Sequence, residues 1–325
     1  MSTSTLPVRV ARKSSDAQDI VSLELVPAVG AVLPAFTAGS HIDIEVPDGK
    51  GGHITRQYSL SNSPRETHRY VIAVLRDPAS RGGSSGVHER IQVGDVISIS
   101  APRNHFALAP QAQHHLLIAG GIGITPILSM VETLSAQGAS YALHYASRSP
   151  ERTAFRTHLA QPRYAAQVHH HYSEGSAAQK LDLAALLAKP QASTHVYVCG
   201  PQRLMDAVIA TARAAGWPEA NIHYEFFGAA VAPSADDGAF EVVVKSSGQV
   251  VTVPANQTVV QALAAAGVNV MISCEQGVCG TCLTRVLEGI PDHKDHYLTP
   301  EEHAANNEFT PCCSRSKSPR LVLDL

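Results

Sequence analysis

At 325 residues the chain is long enough for two or three domains. Its 44% hydrophobic and 16% charged residues describe an ordinary globular protein, and a formal charge of −3 gives no basic surface for nucleic acid or an anionic membrane. No run of about eighteen apolar residues is present to span a bilayer, and no basic start precedes an apolar segment, so the expectation is a cytoplasmic chain without membrane or secretion.

Residues 1–108 read as β. Alternating apolar or β-branched residues recur at 7–10, 20–25, 41–46, 57–60, 70–75 and 95–100, separated by turn-rich segments. Short strands at this spacing predict an antiparallel β-barrel. Two motifs lie on it. In Arg56-Gln-Tyr-Ser59, arginine and tyrosine point to the same face of a strand. The guanidinium can grip a phosphate in two-pronged fashion, the phenol can pack on a flat ring, and Ser59 can hydrogen-bond to a ring nitrogen. Plain core packing is the other reading of Tyr58. Downstream, Arg81-Gly-Gly-Ser-Ser-Gly86 is a loop whose small residues let backbone N–H groups close on a phosphate. A flexible hairpin loop is its plainer reading. The two motifs in this order carry more information than either alone.

From about residue 114 the period changes. Leu116-Leu-Ile-Ala119 is a continuous apolar run, as in a buried parallel strand. Gly120-Gly-Ile-Gly123 follows, and Thr125 at the N-cap with Pro126 at N1 predicts a helix through Ser135. Such a strand–turn–helix is where a dinucleotide pyrophosphate meets a helix N-terminus, although the third glycine of G-x-G-x-x-G is missing. Strands are expected at 141–145, 194–198 and 222–227, and a helix at 203–215. This alternation predicts a doubly wound α/β domain over 109–228. Cys199-Gly-Pro201 falls at the carboxyl edge, where such sheets bind ligands. A small buried apolar residue is the plainer reading of Cys199. The three histidines at 169–171 are expected on a strand or its edge rather than at a metal.

Residues 229–238 are small, polar and proline-containing, as in a linker. Over 239–325 an α+β domain is expected, opening with a hairpin at 240–245 and 250–253 that turns at Ser247-Gly248. A short helix follows at 258–266. From 236 onward, eleven acidic and six basic residues leave a charge of −5.

The strongest motif lies in this last domain. Cys274, Cys279 and Cys282 are spaced C-x4-C-x2-C, and Cys312 follows after twenty-nine residues. This is the plant-type [2Fe–2S] spacing, in which each of the two irons takes two thiolates. Structural zinc usually shows two C-x2-C knuckles, and only one short pair is present. Six cysteines in a chain with no secretion signal read as metal-binding rather than as disulfides. Cys313 is the rival to Cys312, which is preferred because its gap is the one plant-type ferredoxins show.

Taken together, these motifs resemble the ferredoxin–NADP reductase superfamily. With a C-terminal ferredoxin attached, the chain resembles the phthalate dioxygenase reductase and vanillate O-demethylase reductase family over nearly its whole length. The resemblance implies a flavin-binding β-barrel, an NAD-binding α/β domain and a β-grasp plant-type ferredoxin. It implies that Arg56, Tyr58 and Ser59 hold FMN, that Gly82, Gly83, Ser84 and Ser85 take its phosphate, and that Thr125 reaches the flavin. Gly121 and Gly123 would face NADH, Cys199 its nicotinamide, and Glu225 and Phe227 the region between the two rings. The residues themselves leave FMN and FAD open.

A nucleotide domain beside a one-electron cluster also requires a carrier that accepts two electrons and releases one, which a flavin does. The expected route runs from NADH through FMN and [2Fe–2S] to the Rieske centre of an aromatic oxygenase, with the chain acting as a monomer. A stand-alone reductase of flavin or ferric complexes is the alternative. Arg148 and Arg152 lie where an NADP 2′-phosphate can sit, but Glu151 between them favours NADH. The acids Glu275, Asp292, Asp295, Glu301 and Glu302 are expected to form either a docking edge near Cys279 or a merely solvated face.

Overall fold

The computed structural model describes residues 5–28, 30, 32–78, 80, 82–228 and 237–325. Arg81 and residues 229–236, most of the expected linker, lie outside the described residues. Contacts divide the chain into two compact units, Met1–Phe227 and Gly228–Leu325. Among the described residues no helix is long and apolar enough to cross a membrane.

The first unit opens with strands β1 (Leu6–Ala17), β2 (Ile20–Pro27), β3 (Ser40–Pro47), β4 (His53–Ser59), β5 (Tyr70–Leu75), β6 (Val96–Ile99) and β7 (Arg103–Asn104). They pair antiparallel in the order β4-β3-β6-β1-β2-β5, with β7 on β3. The outer strands meet through a bridge between Leu60 and Ile72, so the sheet closes into the expected barrel and removes its open edge. Its interior takes every second residue: Val8 and Val10, Leu23 and Leu25, Ile42, Ile44 and Val46 are fully buried.

Between β5 and β6 lies helix α1 (Gly83–Glu89). A loop was expected here. Instead Gly82 makes a single left-handed turn, with φ of 97°, and the helix starts at once. The Ser80 hydroxyl fixes that turn by accepting from Gly82 N and Ser85 N at 3.2 and 3.3 Å. At the other end Lys13 Nζ donates to the carbonyls of Val87, His88 and Ile91 at 2.7–3.0 Å, satisfying groups the helix leaves unpaired.

The second sheet holds β8 (His114–Gly120), β9 (Ser140–Ser147), β10 (Val168–Tyr172), β11 (Thr194–Cys199) and β12 (Ile222–Glu225). All are parallel, in the order β10-β9-β8-β11-β12. The chain runs outward from β8 to one side and returns to β11 on the other. The switch point is therefore between the carboxyl ends of β8 and β11. The long helices are α2 (Ile124–Gln137) and α6 (Gln202–Ala214), with short α3 (Arg156–Leu159), α4 (Pro162–Ala165) and α5 (Leu183–Leu187) between them.

The expected N-cap of α2 is wrong. Gly121–Gly123 form a 3-10 turn that runs straight into the helix at Ile124, so Thr125 lies inside the first turn. Its hydroxyl donates back to Ile122 O at 3.0 Å. The three histidines sit on edge strand β10, as expected.

The second unit is built on β13 (Phe240–Val244), β14 (Val250–Val253), β15 (Thr284–Glu288), β17 (Glu308–Phe309) and β19 (Arg320–Leu323), in the order β14-β13-β19-β15-β17. β13 and β14 form the expected hairpin. The last strand returns parallel to the first, which makes the sheet mixed. A two-strand ladder joins β16 (Pro291–Asp292) to β18 (Arg315–Ser316). Helix α7 (Val259–Ala265) starts in a reciprocal cap between Thr258 and Gln261, and α8 (Pro300–Ala305) in one between Thr299 and Glu302.

Candidate functional site

At the sheet switch point the backbones approach more closely than side chains would allow. A Cβ on Gly123 would lie 2.3 Å from Cys199 O, and one on Gly200 would lie 2.9 Å from Gly120 Cα. Gly121 has φ of 50°, and its carbonyl accepts from the Tyr145 hydroxyl at 3.0 Å. Glycine at 120, 123 and 200 thus lets the two loops pack against each other and leaves bare backbone at the carboxyl edge. Thr125 is buried in the first turn of α2.

The neighbouring strands place three polar side chains together. Cys199 ends β11 beside Glu225 of β12, its partner in the parallel ladder. Ser59, at the end of barrel strand β4, donates to Glu225 Oε2 at 3.5 Å. The barrel and the parallel sheet therefore meet at this corner. Burial pushes the Glu225 carboxyl up to about 8, and the Ser59 hydroxyl only partly offsets it. Burial, then the adjacent Glu225, holds the Cys199 thiol well above its ordinary value. Burial thus favours the uncharged form of both groups. Phe227 closes the first unit and is partly exposed.

Sequence reasoning missed His41. It pairs with Ser59 across β3 and β4 and is buried, with Nδ1 3.9 Å from Glu225 Oε1. The contact joins residues 184 positions apart in number, so no local motif announces it.

Arg56 and the Gly82–Gly83 turn, twenty-six residues apart in number, also come together. A Cβ on Gly83 would fall 2.7 Å from Arg56 Nε, so the arginine stem lies directly over the turn. Arg56 Nη1 donates to Thr55 O at 2.7 Å. The start of α1 has backbone N–H groups that the helix itself does not use; those of Gly82 and Ser85 turn to Ser80 Oγ, which leaves Gly83 and Ser84 as the nearest to the guanidinium. Guanidinium and N–H groups in one place fit a phosphate. Ser84 Oγ accepts from Asp77 N, and Ser85 Oγ is 3.3 Å from Ser80 Oγ. Tyr58 packs against the barrel core, and burial raises its hydroxyl well above the ordinary value. The core reading and the ring-packing reading of Tyr58 both remain compatible with this position.

In the second unit all six cysteines except Cys199 gather at one place, each free and buried. The Cys274 thiol lies within hydrogen-bonding reach of Cys279 and Cys312, and Cys312 within reach of Cys282. Those contacts draw Cys274 far below its ordinary value and push Cys279 and Cys312 up. Gln276 N donates to Cys274 Sγ at 3.3 Å and Thr281 N to Cys279 Sγ at 3.5 Å. Such N–H groups stabilise a thiolate and tune a metal bound to it. Gly277 has φ of 69°, and a Cβ there would meet Cys313 Sγ at 2.4 Å. Cys313 also lies within hydrogen-bonding reach of Cys312, and it has two hydroxyl neighbours of its own, Thr310 Oγ1 at 3.1 Å and Ser314 Oγ at 3.8 Å. The four thiols at 274, 279, 282 and 312 form a donor set that fits a [2Fe–2S] cluster.

Of the acids expected on a docking edge or a solvated face, Asp295 is drawn into the interior, while Glu301 and Glu302 are exposed. Asp295 has a fully buried side chain that accepts from Leu298 N at 2.9 Å and Tyr297 N at 3.2 Å. Asp292 is 3.8 Å from Lys294, and Glu302 is committed to its helix cap. Local charge counting could not see these partners.

Comparison with known proteins agrees with this architecture. A family model for the 2Fe-2S iron-sulfur cluster binding domain matches residues 242–317. The vanillate O-demethylase oxidoreductase of Pseudomonas sp. (strain HR199 / DSM 7063) is 53% identical over 309 residues, which is 95% of this chain and 96% of that one. The phthalate 4,5-dioxygenase oxygenase reductase subunit of Pseudomonas putida is 40% identical over 319 residues, covering 98% and 96%. The solved structure of phthalate dioxygenase reductase, described as a modular structure for electron transfer from pyridine nucleotides to [2Fe-2S], superposes with a TM-score of 0.78 at 40% identity. It covers 99% of this chain and 98% of that one. Barrel, doubly wound sheet and thiol-bearing unit thus occur here in the order and over the length of those proteins, and the chain belongs to the family of reductase components of oxygenases that includes vanillate O-demethylase oxidoreductase and phthalate dioxygenase reductase.

Proposed function

We propose that this chain oxidises NADH and delivers the electrons one at a time to a Rieske-type aromatic oxygenase. The observation that carries the reading is the presence in one chain of the Ser59–Glu225–Cys199 corner at the sheet switch point and of four converging thiols in a separate unit. When bound, FMN would accept the hydride pair and the [2Fe–2S] cluster would pass single electrons on, from about −400 mV to a Rieske centre at higher potential.

The side chains bind, orient and control charge. Arg56 and the backbone of Gly82, Gly83, Ser84 and Ser85 hold the FMN phosphate. Tyr58, Ser59 and Thr125 line its ring. Gly121 and Gly123 leave room for the nucleotide, while Cys199, Glu225 and Phe227 border the nicotinamide. A neutral Cys199 and a protonated Glu225 put no fixed negative charge beside a hydride donor. Ser59 Oγ and Glu225 Oε2 form a polar pair through which a proton can be held at the flavin edge. Cys274, Cys279, Cys282 and Cys312 are the cluster ligands, and Cys313 is not.

The reading includes an FMN-binding barrel at 1–108, an NAD-binding domain at 109–228, a linker at 229–238 and a ferredoxin domain at 239–325. The chain works as a cytoplasmic monomer beside its oxygenase. Cofactor released by heat should chromatograph as FMN. Arg56→Ala should weaken FMN retention by roughly 1.5–3 kcal/mol, the worth of a hydrogen bond to a charged group. Release of FAD, or unchanged retention in the variant, would contradict this assignment.

A further inference from the structure

A second cluster of metal-ligating side chains stands in the ferredoxin unit, apart from the cysteines. His293 and Asp295 follow β16, and His303 lies on α8. One ligand atom from each comes within 4.8 Å of the other two. His293 Nδ1 is 3.7 Å from Asp295 Oδ1, and His303 Nε2 is 3.3 Å from Asp295 Oδ2. The two imidazoles stack with centroids 4.3 Å apart, and each has a nitrogen toward a different oxygen of the carboxylate.

His293 is the informative member. Its side chain is only 8% exposed, and both buried ring nitrogens lie beyond good hydrogen-bonding geometry, with Asp295 and Asn306 as their nearest polar neighbours. A neutral imidazole carries one N–H and one lone pair, and buried polar atoms of native chains are normally satisfied. Here an unsatisfied nitrogen lies beside a buried carboxylate that is already oriented. Leu298 N and Tyr297 N donate to Asp295 Oδ2, and Ser314 Oγ donates to Oδ1 at 3.3 Å. Metal-ligating carboxylates are held by outer hydrogen bonds of this kind.

We propose that His293, Asp295 and His303 bind a divalent cation of the zinc class. Zn–N and Zn–O bonds of about 2.0–2.2 Å place neighbouring donors of a tetrahedron about 3.3–3.5 Å apart. The observed 3.3 and 3.7 Å run to different oxygens of Asp295, and with one donor atom from each residue the set lies within 4.8 Å, so a bound ion would draw the three inward to that spacing. His303, on a short helix and partly exposed, supplies the remaining closure. Two imidazoles and one carboxylate select a borderline cation over calcium or magnesium and leave a fourth position for water. Such an ion would tie α8 to the segment after β16. That segment backs the cysteine loop, since His296 N donates to Gly277 O at 2.9 Å. The role is structural and independent of the electron path.

The test uses purified full-length holoprotein, cleared of loose metal, dialysed against micromolar zinc and analysed for zinc and iron. About one zinc per chain is expected beside the cluster irons. His303→Ala should weaken zinc binding at least about tenfold with the cluster absorption unchanged. His303→Asp, which keeps a donor, should retain zinc, and this separates ligand loss from damage to the fold. The proposal is overturned if wild type retains no zinc, or if His303→Ala and His293→Gln retain as much as wild type. Equal retention would place the zinc on the chain's other histidines.

Discussion

Glu225 is held protonated by its burial, and this has a measurable consequence for stability. The carboxyl has an ordinary value of 4.5 and a folded value of about 8. Between those values the unfolded chain has released the proton and the folded chain has not. Stability therefore falls as pH rises through that window, and the loss is complete once pH exceeds the folded value. Glu225→Gln cannot ionise and escapes this loss. Thermal melts should show the variant gaining on wild type from about pH 5 to about 8 and levelling off above it, with a slope of at most about 1.4 kcal/mol per pH unit. A constant difference across that range would show that Glu225 is ionised in the folded chain. At this scale the sequence was legible where a function is packed into a few neighbouring positions. The cysteine spacing, which falls within the matched iron-sulfur domain, is of that kind. His41 and the burial of Asp295 were illegible, because their partners come from strands and turns far away in number.

The elements were read best where one period persists. The continuous run before Gly120 and the alternation of the barrel strands each became a strand, because burial on two faces or one leaves a clear pattern. Pieces of two residues, such as Arg103–Asn104 and Glu308–Phe309, have no room for a period. The start of α2 was misplaced because Thr125-Pro126 imitates a cap, while the real start is set by a turn of glycines packed against another loop. That packing predicts the effect of a methyl group. Gly123→Ala puts a Cβ into the Cys199 carbonyl and must push the two loops apart. Overpacking of this kind costs about 1–3 kcal/mol. The variant should melt earlier and show a raised KM for NADH with unchanged flavin content. An unaltered KM would remove the switch-point loops from the nucleotide site.

For the molecule as a whole, the two units divide the labour between accepting a pair of electrons and releasing single ones. Nucleotide choice belongs to this scale. Arg152, one of the two arginines after β9, has its guanidinium 3.3 Å from Asp19, and Glu151 is exposed beside it. With one cation paired and an anion adjacent, a 2′-phosphate is poorly received. The ratio kcat/KM for NADH should exceed that for NADPH by at least about tenfold, or ~1.4 kcal/mol. Steady-state reduction of cytochrome c with each nucleotide measures it, and equal or inverted values would contradict the preference.

The claim that electrons leave through the four-thiol centre is tested most directly by NADH-driven turnover of a Rieske-type oxygenase. The assay is supplied in turn with wild type, Cys313→Ser and Cys312→Ser. Cys312 meets Cys274 and Cys282, whereas Cys313 meets Cys312 together with the hydroxyls of Thr310 and Ser314. Cys313→Ser should support turnover near wild type. Cys312→Ser should lose iron, sulfide and nearly all turnover, while NADH still reduces its flavin. Turnover that survives the loss of the cluster would take the four thiols off the electron path and leave a stand-alone flavin reductase.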